Sequence, residues 1–132
     1  LFALISQATT PWALAVVDAR RGELYTSLWR RCSDEWSQSA APAARTPEDV
    51  AALLNDVDDG DLTVVGNGAS LFPLSDDVRV VDVRGPDGTM LAAAFARATC
   101  DGVTDEAPTL VPRYLRAPDA KKPQLRPTPA GV

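Results

Sequence analysis

With 132 residues, 45% of them hydrophobic and 23% charged, the chain has the size and mix of one globular domain with one core. Its formal charge of −5 is uneven: residues 1–112 hold 8 basic and 17 acidic side chains, while residues 113–132 hold Arg113, Arg116, Lys121, Lys122 and Arg126 against Asp119. The acidic body argues against a nucleic-acid face there, no apolar run approaches the ~20 residues of a membrane span, and Cys32 and Cys100 make no disulfide framework, so a reducing cytoplasm is the expected location.

The chain opens on "LFALISQA", which puts Leu1, Leu4, Ile5 and Ala8 on one face at helical spacing. This reads as the last turns of a helix, in a chain that starts inside a longer gene product. "WALAVVDA" (12–19) is apolar on both alternating faces, the pattern of a central strand covered on both sides. Ala19 to Gly22 forms a hairpin turn in which Gly22 takes positive φ. In "ELYTSLWRR" (23–31) Leu24, Thr26 and Leu28 share one face, and Tyr25, Ser27 and Trp29 the other. "WSQSAAPAA" (36–44) is a third strand despite Pro42.

A helix follows, with Thr46 as N-cap, Pro47 at its first position and Asp49 three residues after the cap. Val50, Leu53, Leu54 and Val57 form its apolar stripe. "LTVVG" (62–66) is short, β-branched and apolar, as a buried parallel strand is. "VRVVDV" (78–83) is more polar and lies nearer a sheet edge. Asp87 caps a second helix, 88–100, with Met90, Leu91, Ala94, Phe95 and Ala98 facing the core. The order β-β-β-α-β-β-α is that of the ribonuclease H-like lobe of the actin-like ATPases. It gives an α/β fold with a mixed five-stranded sheet and flanking helices.

The closing "PRYLRAPDA" is too patterned for a loose end. Pro112 and Pro118 fix φ at two points. Tyr114 and Leu115, being adjacent, point to opposite sides of an extended segment. Residues 110–120 therefore read as a strap across the domain, with Arg113 and Arg116 reaching the acidic body. Residues 121–132 read as a mobile tail. The alternative readings are a wholly loose tail and a docking arm that offers its arginines to another subunit or to RNA phosphate.

Candidate chemistry is thin. "VVGNGAS" (64–70) follows a strand, so Gly66 and Gly68 could cradle a phosphate or simply make a tight turn. Asp18 and Asp82 end strands, but a two-metal site needs a third or fourth carboxylate, and turn chemistry accounts for Asp18. The sequence holds no histidine, which removes histidine triads and histidine metal sites from this chain. Cys32 and Cys100 read as buried structural thiols. Arg20 and Arg21 at the hairpin tip are either an exposed turn or a partner contact.

The stretches "VVDARRGELYTSLWR" and "PRYLRAPDA", with "GNGAS" between them, resemble the TsaB family, also known as YeaZ. The resemblance covers nearly all of residues 1–120. It implies the second lobe of a two-lobed scaffold subunit: 1–10 the end of the helix joining the lobes, 11–109 the lobe itself, 110–120 the strap. It implies no cofactor, no metal and no catalysis of its own. The family acts in forming N6-threonylcarbamoyladenosine at position 37 of tRNA. It is a silent paralogue of the ligase subunit TsaD and partners TsaD and TsaE, touching tRNA only indirectly. It also carries a glycoprotease-type peptidase label inherited from that paralogue, and peptidase or nucleotide-binding regulator are the alternative readings. The partner-contact candidates are Arg20, Arg21, Arg113, Tyr114 and Arg116. The family's main contact with TsaD is attributed to its first lobe, which has no counterpart here. The face toward that lobe is expected to be exposed and apolar, using Leu4, Ile5 and Trp12, and to favour a homodimer.

Overall fold

A computed structural model describes residues 1–100 and 114–116. Its centre is a mixed sheet of β1 (Trp12–Arg20), β2 (Glu23–Cys32), β3 (Glu35–Arg45), β4 (Leu62–Val65) and β5 (Arg79–Val81), in the order β3-β2-β1-β4-β5. The first three strands run antiparallel, while β4 pairs parallel to β1 and β5 parallel to β4. This is the α/β, five-stranded mixed sheet that the element order implies.

The two-faced apolar pattern of β1 does put it in the middle. Leu14 and Val16 pack on one side with Leu24, Leu28, Leu62, Val64 and Val50. Ala13 and Ala15 pack on the other with Leu4, Ile5, Val65 and Met90. Alternation along one strand thus feeds two cores, and both must be covered. The first is covered by α1 (Pro47–Leu54). The second is covered by a short 3-10 helix, Phe2–Gln7, and by α2 (Gly88–Cys100).

Local chemistry sets the helix starts. The Thr46 hydroxyl accepts from the Asp49 amide at 3.2 Å, and the Asp49 carboxylate accepts from the Thr46 amide at 3.3 Å, a complete capping box. Asp87 accepts from the Met90 amide at 2.9 Å and starts α2 in the same way. The first helix stops at Leu54, before Asn55 and Asp56, which compete with the helix for backbone bonds. Val57 still packs on the core beyond its end.

Polar groups inside the sheet are matched. The Thr26 hydroxyl, fully buried, accepts from Arg45 at 2.7 Å. The Thr10 and Thr63 hydroxyls lie 2.6 Å apart. Among the described residues no buried side-chain nitrogen or oxygen lacks a partner, as folded interiors require. Pro42 is tolerated because β3 is an edge strand and the β2–β3 register slips there, leaving Pro42 without a partner in the ladder.

Several expectations need correction. Leu4 and Ile5 are each only 1% exposed, and Trp12 is half-buried against the opposite core. The exposed apolar face expected of these three residues does not exist, because α2 folds back over the 3-10 helix and closes it. The homodimer expected through that face loses its structural basis. Leu91 is exposed, since α2 buries the narrow stripe of Met90 and Ala94 and Leu91 lies a quarter-turn away. Cys32 is exposed at the end of β2, beyond the reach of β1. The strand expected over 78–83 shortens to Arg79–Val81, because β4 offers only a short partner. The side chains of Phe95, Ala98 and Cys100 lie outside what is described, as do Arg113, the rest of the strap and the tail. Among the described residues no helix is long and apolar enough to cross a membrane.

Replacing Thr46 by Ala removes one half of the capping box. It is expected to cost about 1 kcal/mol and to lower the melting temperature by a few degrees, measured by thermal denaturation followed by circular dichroism.

Candidate functional site

The carboxyl ends of β1, β4 and β5 lie side by side, as parallel pairing dictates. Ligands of open α/β sheets gather at such edges. Here the edge carries Asp18 to Glu23 from the hairpin, Gly66 to Leu71 from the turn after β4, and Asp82 after β5.

The glycine turn is built by close approach. Gly66 has φ +131°, and a Cβ placed on it would lie 1.8 Å from the Val16 carbonyl oxygen. A Cβ on Gly68 would lie 2.8 Å from the Val16 side chain and 3.0 Å from that of Leu24. Both glycines are therefore fixed by packing onto β1. Their amides are also committed: Gly66 donates to the Val81 carbonyl at 3.0 Å and Gly68 to the Val16 carbonyl at 3.4 Å. Of the two readings of this turn, a phosphate cradle and a tight turn, the geometry matches the second.

Asn67, between the two glycines, is the residue of this edge that sequence reasoning missed. Its side-chain oxygen accepts from the Asp18 amide at 3.0 Å and locks the turn to the end of β1. The signal was present in "GNG", since asparagine stands in for backbone at turns, but nothing in the sequence named its partner.

The hairpin tip is unusual. Arg20, Arg21 and Gly22 have φ of 66°, 57° and 78° in succession. Primed hairpin turns need positive φ and ordinarily use Gly, Asn or Asp. Two arginines held there carry a cost of order 1 kcal/mol each. The Asp18 carboxylate accepts from the Arg20 amide at 2.7 Å and lies 3.8 Å from the Arg20 guanidinium. Asp18 thus does turn work, and it lines a cleft of about 360 Å³ with Arg20, Arg21, Glu23, Pro47 and Leu71. Asp82 lines a different cleft, of about 290 Å³, with Asn67, Ser70 and Val80. Among the described residues no group of three Asp, Glu, Cys or His could hold a metal.

Residues 114–116 reach this edge. Arg116 donates to the Glu23 carboxylate at 2.7 Å, with both side chains partly shielded. Leu115 is half-buried and Tyr114 is 83% exposed. So Arg116 meets the hairpin that carries Arg20 and Arg21, at Glu23. A larger acidic cavity, about 800 Å³, lies at the other end of the sheet, between the end of α1 and the loop before β5. It touches none of the three motifs, so the carboxyl edge is the better candidate.

No protein-family model matches the chain, and no curated protein matches it in sequence. Solved structures that share its fold include the following two. An uncharacterized protein with similarity to the peptidase YeaZ, from Pseudomonas aeruginosa, superposes with a TM-score of 0.67 at 22% identity. That match covers 88% of this chain and 56% of the other. YeaZ from Pseudomonas aeruginosa superposes with a TM-score of 0.59 at 21% identity, covering 77% of this chain and 49% of the other. The fold is YeaZ-like, and the chain spans about half the length of those two proteins.

Two substitutions test this edge. Gly66→Ala forces a methyl group into the Val16 carbonyl at a backbone angle that L-residues avoid, and is expected to destabilise by ~3 kcal/mol or more, read by denaturant titration. A double-mutant cycle of Glu23→Gln and Arg116→Gln is expected to give a coupling of ~0.5–1 kcal/mol that shrinks with added salt. A coupling of zero at low salt means the ion pair does not hold the strap.

Proposed function

We propose that this chain is the second lobe of a non-catalytic, TsaB-type scaffold subunit in the assembly that forms N6-threonylcarbamoyladenosine in tRNA, acting with TsaD and TsaE homologues. The observation that supports this reading most is a convergence. The three stretches that carry the sequence resemblance are distant along the chain, yet they meet at one sheet edge. Asn67 of "GNGAS" binds the amide of Asp18, and Arg116 of "PRYLR" binds Glu23 of "DARRGELY". Residues that answered only to local turn chemistry would have no reason to share one place. The YeaZ-like fold adds to the reading.

A scaffold needs shape and contact groups, not a nucleophile with its base. The site's polar groups fit that description. Asp18 and Glu23 are engaged by neighbours in the chain, Asp82 faces a separate cleft, and the sequence has no histidine to act as base. One structural neighbour is described by similarity to a peptidase, but among the described residues no arrangement favours that chemistry.

Co-expression of the full-length gene product with TsaD and TsaE homologues from the same source is expected to give a co-eluting complex. Modified adenosine in tRNA, measured by mass spectrometry of nucleosides, is expected to depend on all three proteins. Full modification without this gene product would sink the scaffold role.

A further inference from the structure

The groove of about 800 Å³ at the far end of the sheet has an apolar floor and an acidic rim. Leu54, Val57 and Leu74 form the floor. Each packs against the first core yet is only half-buried, so part of each side chain stays open to the groove. Asp58, Asp59 and Asp77 stand exposed around it, and among the described residues no basic side chain lines it. Asp58 uses one oxygen to accept from the Gly60 amide at 3.0 Å. No described lysine or arginine forms an ion pair with any of the three. Like charges around an apolar floor make a field that favours a cationic, partly apolar occupant. A bound metal ion does not fit, since among the described residues no group of three ligands could hold one.

The chain itself carries a segment of that chemistry. Residues 117–132 hold Lys121, Lys122 and Arg126 against Asp119, and "KKPQLRP" sets Leu125 among the cations. Pro123 and Pro127 restrict this stretch toward extended geometry, which lowers the entropy lost when it docks.

The place where the described residues end makes the groove reachable. Arg116 is tied to Glu23 at 2.7 Å. Glu23 and Pro47 line one cleft, so α1 starts beside that tie. The same helix ends at Leu54, in the floor of the acidic groove. Its 8 residues cover about 12 Å. The nine residues from Ala117 to Leu125 reach about 28 Å in polyproline geometry, enough for the helix and the cleft beside it.

We propose that residues 121–127 of this chain dock in the groove, with Leu125 on Leu54, Val57 and Leu74, and with Lys121, Lys122 and Arg126 on the rim carboxylates. The basic end of the sequence then neutralises the most acidic part of its own body and covers apolar surface there. This replaces the mobile tail expected from the sequence, and it stands independently of the scaffold reading.

The test uses the full chain, isotopically labelled, in nuclear magnetic resonance. Nuclear Overhauser contacts are expected between the methyl groups of Leu125 and those of Leu54, Val57 or Leu74. Reversing the tail charges together, by Lys121→Glu, Lys122→Glu and Arg126→Glu, is expected to abolish those contacts and to speed amide exchange around Leu74 about fivefold. Adding Asp59→Lys and Asp77→Lys to the reversed chain is expected to restore the contacts, and added salt to weaken them in the native chain. Absence of any contact between Leu125 and the groove in the native chain overturns the proposal. Contacts found only between differently labelled copies make the occupant a second molecule and also overturn it. Contacts that survive the tail reversal unchanged, or that stay lost in a swapped chain folded by circular dichroism, remove the charge pairing and the proposal with it. None of these readouts involves tRNA modification, so the scaffold reading and the docked tail fail separately.

Discussion

The contact between Gly66 and the Val16 carbonyl governs the carboxyl edge of this molecule. The chain leaving β4 must pass so close to β1 that no side chain fits between them. Glycine alone permits it, and the approach lets the next residues reach back: Asn67 to the Asp18 amide, Gly68 to the Val16 carbonyl. The end of β1 is thereby clamped from the side. The hairpin grows directly from that clamped end, so its strained tip is presented from a fixed base.

Rigidity of the base explains how a costly turn persists. Positive φ at Arg20 and Arg21 would relax in an isolated hairpin. Here the Asp18 carboxylate, itself held by Asn67 through its own amide, accepts from the Arg20 amide and fixes the turn from within. Arg116 adds a second contact to the hairpin through Glu23. Carboxylates serve the interior of the edge while a guanidinium faces out.

Burial at the other end of the chain follows a different logic. The 3-10 helix Phe2–Gln7 has little stability of its own, being short and poorly hydrogen-bonded. It is held by packing: Leu4 and Ile5 fill the second core against Ala13, Ala15 and Met90, and Phe2 stacks tilted on Trp29 with ring centroids 4.9 Å apart. Without this cover one whole face of β1 would be open to water, and the two-sided apolar pattern of that strand would be destabilising.

The amino-acid sequence by itself determined what depends on near neighbours. The two apolar faces of 12–19 placed β1 at the sheet centre, the capping residues Thr46 and Asp87 placed both helix starts, and the β-branched run at 62–65 placed a buried parallel strand. Each rests on periodicity or on a bond spanning a few residues, and the order of such elements left few ways to join them. Only the tertiary structure decided what depends on distant segments. That α2 buries Leu4 and Ile5, that Leu91 and Cys32 stay exposed, that Asn67 finds Asp18 and that Arg116 finds Glu23 all turn on which remote surface arrives at a residue. Periodicity shows that a face is apolar or a side chain charged, but the partner is chosen by the packing of the whole chain.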